Sequence, residues 1–563
     1  MRLKKGLQGC GGFAILYMSF HQVFFVKGAP FVVNVQIARG AERITVAVEA
    51  GTTLLAAIQA SGLSFPFPCG GNGRCGKCRV MAEGALSPIT EPERRWLSQE
   101  GEAPNSRMAC YARAEGNCRL RIAERAADAI VENGYIPWDG DLEPMYSEGY
   151  GAALDLGTTT VAAQLFRAGE KRPIAALGEL NRQQSYGGDV ISRIACCNER
   201  TVEPLSVLIR AQLGDMLNRL SRQADVPASE IRQLVITGNT TMLYILFGIE
   251  PAPLATAPFR MEQGFGGSFD AGIPGFEGLP CWVPGCASAY IGADMVCSVL
   301  ASGMCKSSGN LLLVDAGTNG EMALSAKGAL RCCSTAAGPA LEGAGLSCGG
   351  NASPGAIDSV RLENGAFAYT TIGNAAAGSL CGSGLIDAAA ALLEAGYLHS
   401  SGKLQTPDGG DFFIGGSRVY LSQRDLRQLQ LAKAAIRAGM DTLIHESGLR
   451  YEDLDGILLC GGFGSRLRPS SAERIGLIPP GFSEKTMAIG NAAGNGAGQI
   501  LQSAAKRREA QRIARQMEPV SLSASPYFQE RYLASMRFPD CVRRSSAPLC
   551  GRAAQDLSPR RYR

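Results

Sequence analysis

Three cysteines share one glycine-rich stretch, Cys69-Gly-Gly-Asn-Gly-Arg-Cys75-Gly-Lys-Cys78, in the spacing C-x5-C-x2-C, and Cys110 follows on a separate segment. Four thiolates placed this way suit a [2Fe–2S] cluster, which a loop wraps and a distant strand closes. The intervening glycines let the backbone turn tightly and aim N–H groups at anionic sulfur. Four thiolates also suit a tetrahedral structural zinc, but zinc sites usually pair two short knuckles, and only Cys75 and Cys78 have that spacing. With nineteen cysteines in the chain, coincidence is the third reading.

A second chemistry is written twice. Asp155-Leu-Gly-Thr-Thr-Thr160 and Asp315-Ala-Gly-Thr-Asn-Gly-Glu321 each put a carboxylate at a strand end, then glycine, then hydroxyl or amide donors. A nucleotide phosphate needs these parts: glycine permits close backbone approach, N–H and hydroxyl groups bind oxygens, and Asp holds hydrated Mg²⁺. One such turn is weak, because Asp and Gly are common turn punctuation. Two copies, each opening a long α/β segment, predict duplicated lobes closing on one nucleotide. Glycine-rich turns that bind nothing are the competing explanation. No G-x4-G-K-[ST] segment occurs, so this is not a P-loop protein.

The elements that must position these residues follow from pattern. Val32 to Ile37 and Ile44 to Val48 read as strands around a turn at Gly40, and Thr53 to Ser61 as a helix. Thr90-Glu-Pro-Glu93 is a capping box opening a short helix, and Arg107 to Ile122 predicts further strands, with Cys118 packed inside one. Ala152 to Leu156, Leu311 to Val314 and Ile457 to Cys460 are short apolar strands, and Leu421 to Gly439 is a helix with Ser422 as N-cap. Expected domains are 31–124 around the cysteines, a linker 125–150, a middle domain 151–308 and a C-terminal domain 309–540.

Composition bounds the rest. The chain has 563 residues, 46% hydrophobic and 19% charged, enough for several cores. Its formal charge of +4 lies at the ends: four basic and no acidic residues in 1–30, seven basic and two acidic in 537–563, leaving 44 basic against 49 acidic between. A polyanion-binding groove through the body is therefore not expected, nor a nucleic-acid partner. Residues 541–563 read as a disordered basic tail. Residues 1–30 have the outline of a signal peptide, but Ser19, His21 and Gln22 interrupt its apolar run, and Leu7-Gln8-Gly9-Cys10 precedes that run where a lipoprotein box should follow it. They are read as a leader or an over-extended start, with folded protein from about Phe31. No internal membrane span is expected, and cysteines scattered singly through apolar runs fit a reducing, cytoplasmic compartment.

Along its whole length, 31–124 resembles the β-grasp [2Fe–2S] ferredoxin domain; its C-x5-C spacing and Arg107-Met-Ala-Cys110 are similar to the adrenodoxin-like members. The paired Asp-x-Gly-Thr turns resemble the two phosphate loops of the ATPases related to actin, heat-shock chaperones and sugar kinases. That likeness gives an α+β and α/β multidomain fold with a two-lobed ATPase. It makes Gly157, Thr158, Thr159, Thr160, Gly317, Thr318 and Asn319 phosphate binders, and it puts Gly461, Gly462 and Gly464 of Leu459-Cys-Gly-Gly-Phe-Gly against the adenosine. Gly338, opening Gly338-Pro-Ala-Leu-Glu-Gly343, would line the cleft beyond the phosphates.

The two parts in one chain resemble the reductive activators of corrinoid proteins over about residues 31–540. Tyr186–Arg193, Gly238–Met242, Cys381–Asp387, Ser422–Asp425 with Gln430–Lys433, and Gly490–Gly494 also match. The resemblance implies ATP-dependent one-electron reduction of Co(II) to Co(I), with Cys69, Cys75, Cys78 and Cys110 holding the electron carrier. Asp155 and Asp315 would arrange Mg²⁺ and water, and Glu321 would either orient the attacking water or cap the helix after it. The cobalt belongs on a partner corrinoid protein or methyltransferase, since no D-x-H-x-x-G occurs: His445-Glu-Ser-Gly448 has Leu443 where Asp should be, and His445 reads as a helix-surface residue. An upstream donor must reduce the cluster, and a homodimer is compatible. The alternatives are a ferredoxin-type component of an NADH:quinone reductase, an ATP-driven donor to another low-potential metalloenzyme, and a nucleotide-gated scaffold. The first needs flavin and dinucleotide motifs that the chain lacks.

Overall fold

The computed structural model describes residues 31–40, 42–63, 65, 71, 73, 76, 78–97, 105–122, 135–461 and 467–540. Cys69, Cys75, Gly462, Gly464, the leader, the basic tail and residues 125–134 lie outside the described residues.

The N-terminal unit is a mixed sheet in the order Glu42–Glu49, Val32–Arg39, Arg113–Ile122, Arg79–Leu86, Ser106–Met108, with Thr52–Thr53 also paired to Arg113–Ile122. Alternation along Val32–Arg39 sends Val33, Val35 and Ile37 inward, where they meet Leu54, Ile58, Leu120 and Cys118. Helix Leu54–Ala60 is N-capped by Thr53, whose hydroxyl accepts from Ala56 N at 3.2 Å. Helix Glu91–Leu97 keeps half of its expected capping box. Thr90 Oγ1 accepts from Glu93 N at 3.4 Å, but the Glu93 carboxylate turns inward to Arg107.

The remaining described chain holds two related sheets. The first runs Gly267–Phe269, Cys281–Val283, Ile231–Gly238, Tyr150–Leu156, Thr160–Arg167, Ala175–Leu180. The second runs Thr486–Gly490, Gly456–Cys460, Leu311–Ala316, Asn319–Ala326, Ala329–Ala336, Met517–Pro519. In each, an antiparallel hairpin carries the Asp-x-Gly-Thr turn, and a later strand joins parallel to its first arm. Glu321 sits inside strand Asn319–Ala326, so the helix it was expected to cap does not exist.

Helices Ala293–Ser302 and Ala492–Gln502 lie between the sheets in one shared core with Ala153, Val235, Leu313 and Ala323. Their crossing is close at Gly496: a Cβ there would run into the Cys297 backbone. Helix Gln423–Glu446 starts at Ser422 with a full capping box to Asp425, and runs seven residues beyond its expected end. His445 lies in that extension, its side chain 55% exposed. Residues 135–149 contain no long element but are pinned: Ile136 N donates to Asn495 Oδ1 at 2.9 Å, and Glu143 N and Met145 N donate to Gln502 O and Leu501 O at 3.0 Å. Among the described residues, no helix is long and apolar enough to cross a membrane.

Candidate nucleotide cleft and cluster loop

Packing against the two interleaved helices brings the hairpin turns face to face. Thr159 Oγ1 and Thr318 Oγ1 are 3.2 Å apart although 159 residues separate them in sequence. Behind them the strand ends deliver Asp155 and Asp315, both half-buried, and the buried Glu321. Glu321 is directly across the ladder from Asp315, and its carboxylate accepts from Asn239 Nδ2 at 3.1 Å. Burial, then the Asp294 charge, pushes Asp155 up to about 7. Burial and the charges of Asp294, Asp155 and Glu342 push Asp315 up to about 8. Glu321 is raised well above the usual carboxylate range by burial and then by Asp294 and Asp315. Carboxylates that hold their protons against one another are poised to take a cation instead. Among the described residues no group of three or more His, Cys, Asp or Glu could hold a metal ion alone. Mg²⁺ often relies on nucleotide phosphates and water with only one or two carboxylates.

The glycines divide by reason. A Cβ on Gly461, whose φ is +93°, would strike Asp315 Oδ1, so glycine there lets the end of strand Gly456–Cys460 meet the carboxylate. A Cβ on Gly157 would lie 2.5 Å from Thr160 O, whereas one on Gly317 would meet nothing nearer than 3.5 Å. Gly338 N donates to Thr318 O at 2.9 Å, which brings the Gly338–Gly343 turn onto the second Asp-x-Gly-Thr turn. Thr158 is buried and its carbonyl accepts from Arg193 at 2.5 Å. Thr160 and Asn319 begin the return strands of the two hairpins.

Sequence reasoning missed several residues here. Asp294, one residue into helix Ala293–Ser302, is the charge common to all three expected carboxylates. Glu342 accepts from Thr159 Oγ1 at 2.7 Å and from Thr318 Oγ1. Asn491 caps helix Ala492–Gln502 and hydrogen-bonds Asp155. Arg193 is fully buried and joins Thr158 O, Gly187 O and Gln183 Oε1. Arg193, Glu342 and Asn491 fall within stretches already singled out, without a role for the individual side chain. Asp294 had only the Gly-Ala-Asp opening of an apolar helix as a signal.

At the other site, Cys78 Sγ and Cys110 Sγ lie 3.2 Å apart, with Ala109 N donating to Cys78 O at 2.8 Å. Gly71, Gly73 and Gly76 have φ of +84°, +68° and +66°. Tyr111 Oη and Trp96 Nε1 both donate to Gly73 O, at 3.1 and 3.0 Å. Converging thiols beside a left-handed glycine loop fit a cluster held by both segments. Glu93 fixes the segment before Cys110. Its buried carboxylate takes Arg107 Nε at 2.8 Å, Arg107 Nη2 at 3.1 Å and Met108 N at 2.9 Å. Removing one partner of such a pair costs about 3–5 kcal/mol.

Comparison with known proteins agrees with this geometry. Residues 38–115 match the 2Fe-2S iron-sulfur cluster binding domain, 150–307 the RACo middle region, and 309–546 the C-terminal domain of RACo, the ASKHA domain. The corrinoid activation enzyme RamQ of Eubacterium limosum is 32% identical over 459 residues, 76% of each chain. The chain belongs to the family of reductive activators of corrinoid proteins. A second relative, the [Co(II) methylated amine-specific corrinoid protein] reductase of Methanosarcina barkeri, is 26% identical over 69% of this chain and 77% of its own. The solved structure of a reductive activator for corrinoid,iron-sulfur protein covers 90% of this chain and 98% of its own at 25% identity, with a TM-score of 0.68. By contrast, a component of the Na(+)-translocating NADH-quinone reductase of Chlamydia pneumoniae shares only 96 residues, 22% of its length, at 34% identity. The likeness to that reductase covers 17% of this chain.

Proposed function

We propose that the chain uses ATP to drive one-electron reduction of a corrinoid protein from Co(II) to Co(I), and that the facing hairpins are its engine. One observation carries the reading. Thr159 and Thr318 meet across two similar turns backed by carboxylates, in the same chain as a cysteine-loop ferredoxin unit.

In the cleft, Thr158, Thr159, Thr318 and Asn319 donate to phosphate oxygens, with Gly157 and Gly317 admitting the backbone. Asp155 and Asp315 hold the water shell of a nucleotide-borne Mg²⁺. Glu321, set across the ladder from Asp315, orients the attacking water. Gly461, Gly462 and Gly464 give the adenosine a side-chain-free wall. In the ferredoxin unit, Cys69, Cys75, Cys78 and Cys110 hold the [2Fe–2S] cluster, which when bound supplies the single electron. Tyr111 and Trp96 keep its loop fixed through Gly73. An upstream reductant reloads the cluster, and we place the protein in the cytoplasm, where buried free thiols such as Cys281, Cys297 and Cys333 stay reduced.

The test mixes the reduced protein anaerobically with ATP and a Co(II) corrinoid protein. The Co(I) spectrum should appear only with ATP. Reduction that proceeds equally without nucleotide refutes the ATPase role, and no reduction of any corrinoid partner refutes the activator role.

A further inference from the structure

Glu342 is an acid where phosphate-binding parts should face an anion. It is half-buried, and its carboxylate takes the hydroxyls of Thr159 and Thr318, one from each Asp-x-Gly-Thr turn. Gly317, in the second loop, would place a Cβ 3.5 Å from Glu342 Oε1. Burial raises its carboxyl, while the two hydroxyls and the Arg193 charge draw it back down. A carboxylate with two hydroxyl donors and a guanidinium charge nearby has the surroundings of a phosphate oxygen.

The same tight turn has a second polar end. Five residues on, Ser347 N and Oγ donate to Asp425 Oδ1 at 2.8 and 3.2 Å. Asp425 is the buried capping-box residue of helix Gln423–Glu446. Beside the two ends, Leu341 and Leu346 are clamped in the core with Leu426 and Leu429 of that helix, and Gly343 approaches the Gly350 backbone too closely to admit a Cβ. The segment can therefore move with the helix start more easily than bend between them. Next to Asp425, the Arg424 guanidinium lies 5.9 Å over the Trp96 ring, and Trp96 Nε1 donates to Gly73 O of the cluster loop at 3.0 Å.

We propose that Glu342 is the phosphate sensor of this ATPase: it holds Thr159 and Thr318 until the terminal phosphate of ATP takes their hydroxyls, and its release is relayed through residues 338–350 and Arg424 to Trp96 beside the cluster loop. The proposal rests on the nucleotide reading of the cleft. Glu342 is a positioning residue in it, and the Mg²⁺ ion and attacking water stay with Asp155, Asp315 and Glu321.

The experiment titrates Mg-ATP into the full chain by calorimetry and follows Trp96 fluorescence, using Trp96→Phe to identify its signal. Glu342→Gln removes the competing charge at nearly constant shape. It should bind ATP about tenfold more tightly than wild type, the scale expected when a charge-assisted pair of hydrogen bonds no longer competes. The Trp96 change seen in wild type should vanish, because the segment starts released. Glu342→Asp, one methylene short of the position where a single carboxylate oxygen accepts both hydroxyls, should shift affinity in the same direction by less. ATP binding that is unchanged or weaker in Glu342→Gln overturns the proposal, as does a Trp96 response that persists in that variant. Failure of the wild type to bind ATP overturns the reading of the cleft instead, so the two failures are distinguishable.

Discussion

The two phosphate hairpins begin alike and return differently. In the first, Leu156 pairs with Val161 and Asp155 with Ala162. In the second, Ala316 pairs with Gly320 and Asp315 with Glu321. The second turn is one residue shorter. Because side chains alternate between faces, that single residue decides which neighbour stands beside the aspartate. Six positions after Asp315 comes Glu321, on the same face of the ladder. Six positions after Asp155 comes Val161, which turns away into the core of the first lobe. Register therefore sets the two turns apart: one aspartate faces a glutamate across the ladder and the other an alanine.

That asymmetry predicts unequal effects of mutations at matched positions. Asp315→Ala should lower kcat for ATP hydrolysis by about 10³-fold and Asp155→Ala by about 10²-fold, the range seen when a transition-state electrostatic group is lost. Equal losses would make the lobes chemically equivalent. Glu321→Gln should cost roughly 10²-fold in kcat and leave the Kd for ATP within about twofold, a split measured by steady-state kinetics beside calorimetry. A change in Kd alone would return Glu321 to a purely binding role. The turn glycines differ as well. Gly157→Ala forces a Cβ to 2.5 Å from Thr160 O and should cost about 1–3 kcal/mol in urea unfolding, whereas Gly317→Ala should stay within about 0.5 kcal/mol.

The smallest effect is in pH dependence without nucleotide or Mg²⁺. Asp155 and Asp315 titrate near 7 and 8 when folded, against 3.8 ordinarily. Between those values the folded chain holds protons that the unfolded chain has released, so stability falls as pH rises from about 4 through 8. Asp315→Asn should flatten the fall in melting temperature more than Asp155→Asn, and should matter least below pH 4. An equal flattening would mean that the charges of Asp155 and Glu342 add nothing to the burden on Asp315.

Much of the cluster site was legible because its signal is local: C-x5-C-x2-C and the glycines between are covalent neighbours, and left-handed φ at Gly71, Gly73 and Gly76 is what such a loop requires. Glu93 was misjudged in part. The capping-box pattern is real at Thr90, but a buried Arg107 offered the carboxylate stronger partners than the helix start did. Glu321 was harder. The run Glu-Met-Ala-Leu reads as helix by propensity, yet strands on both sides, Leu311–Ala316 and Ala329–Ala336, claim its backbone hydrogen bonds.

By itself the sequence determined the turn chemistry, the thiol spacing and the duplication, since each depends on residues a few bonds apart. Only the tertiary structure decided what those turns face. Helices Ala293–Ser302 and Ala492–Gln502 bury small residues such as Gly496 between the sheets, and that close packing brings Thr159 to Thr318, Gly461 to Asp315 and Glu342 to Thr159. Contacts between residues more than a hundred positions apart follow from how cores fit together, which no short stretch of chain records.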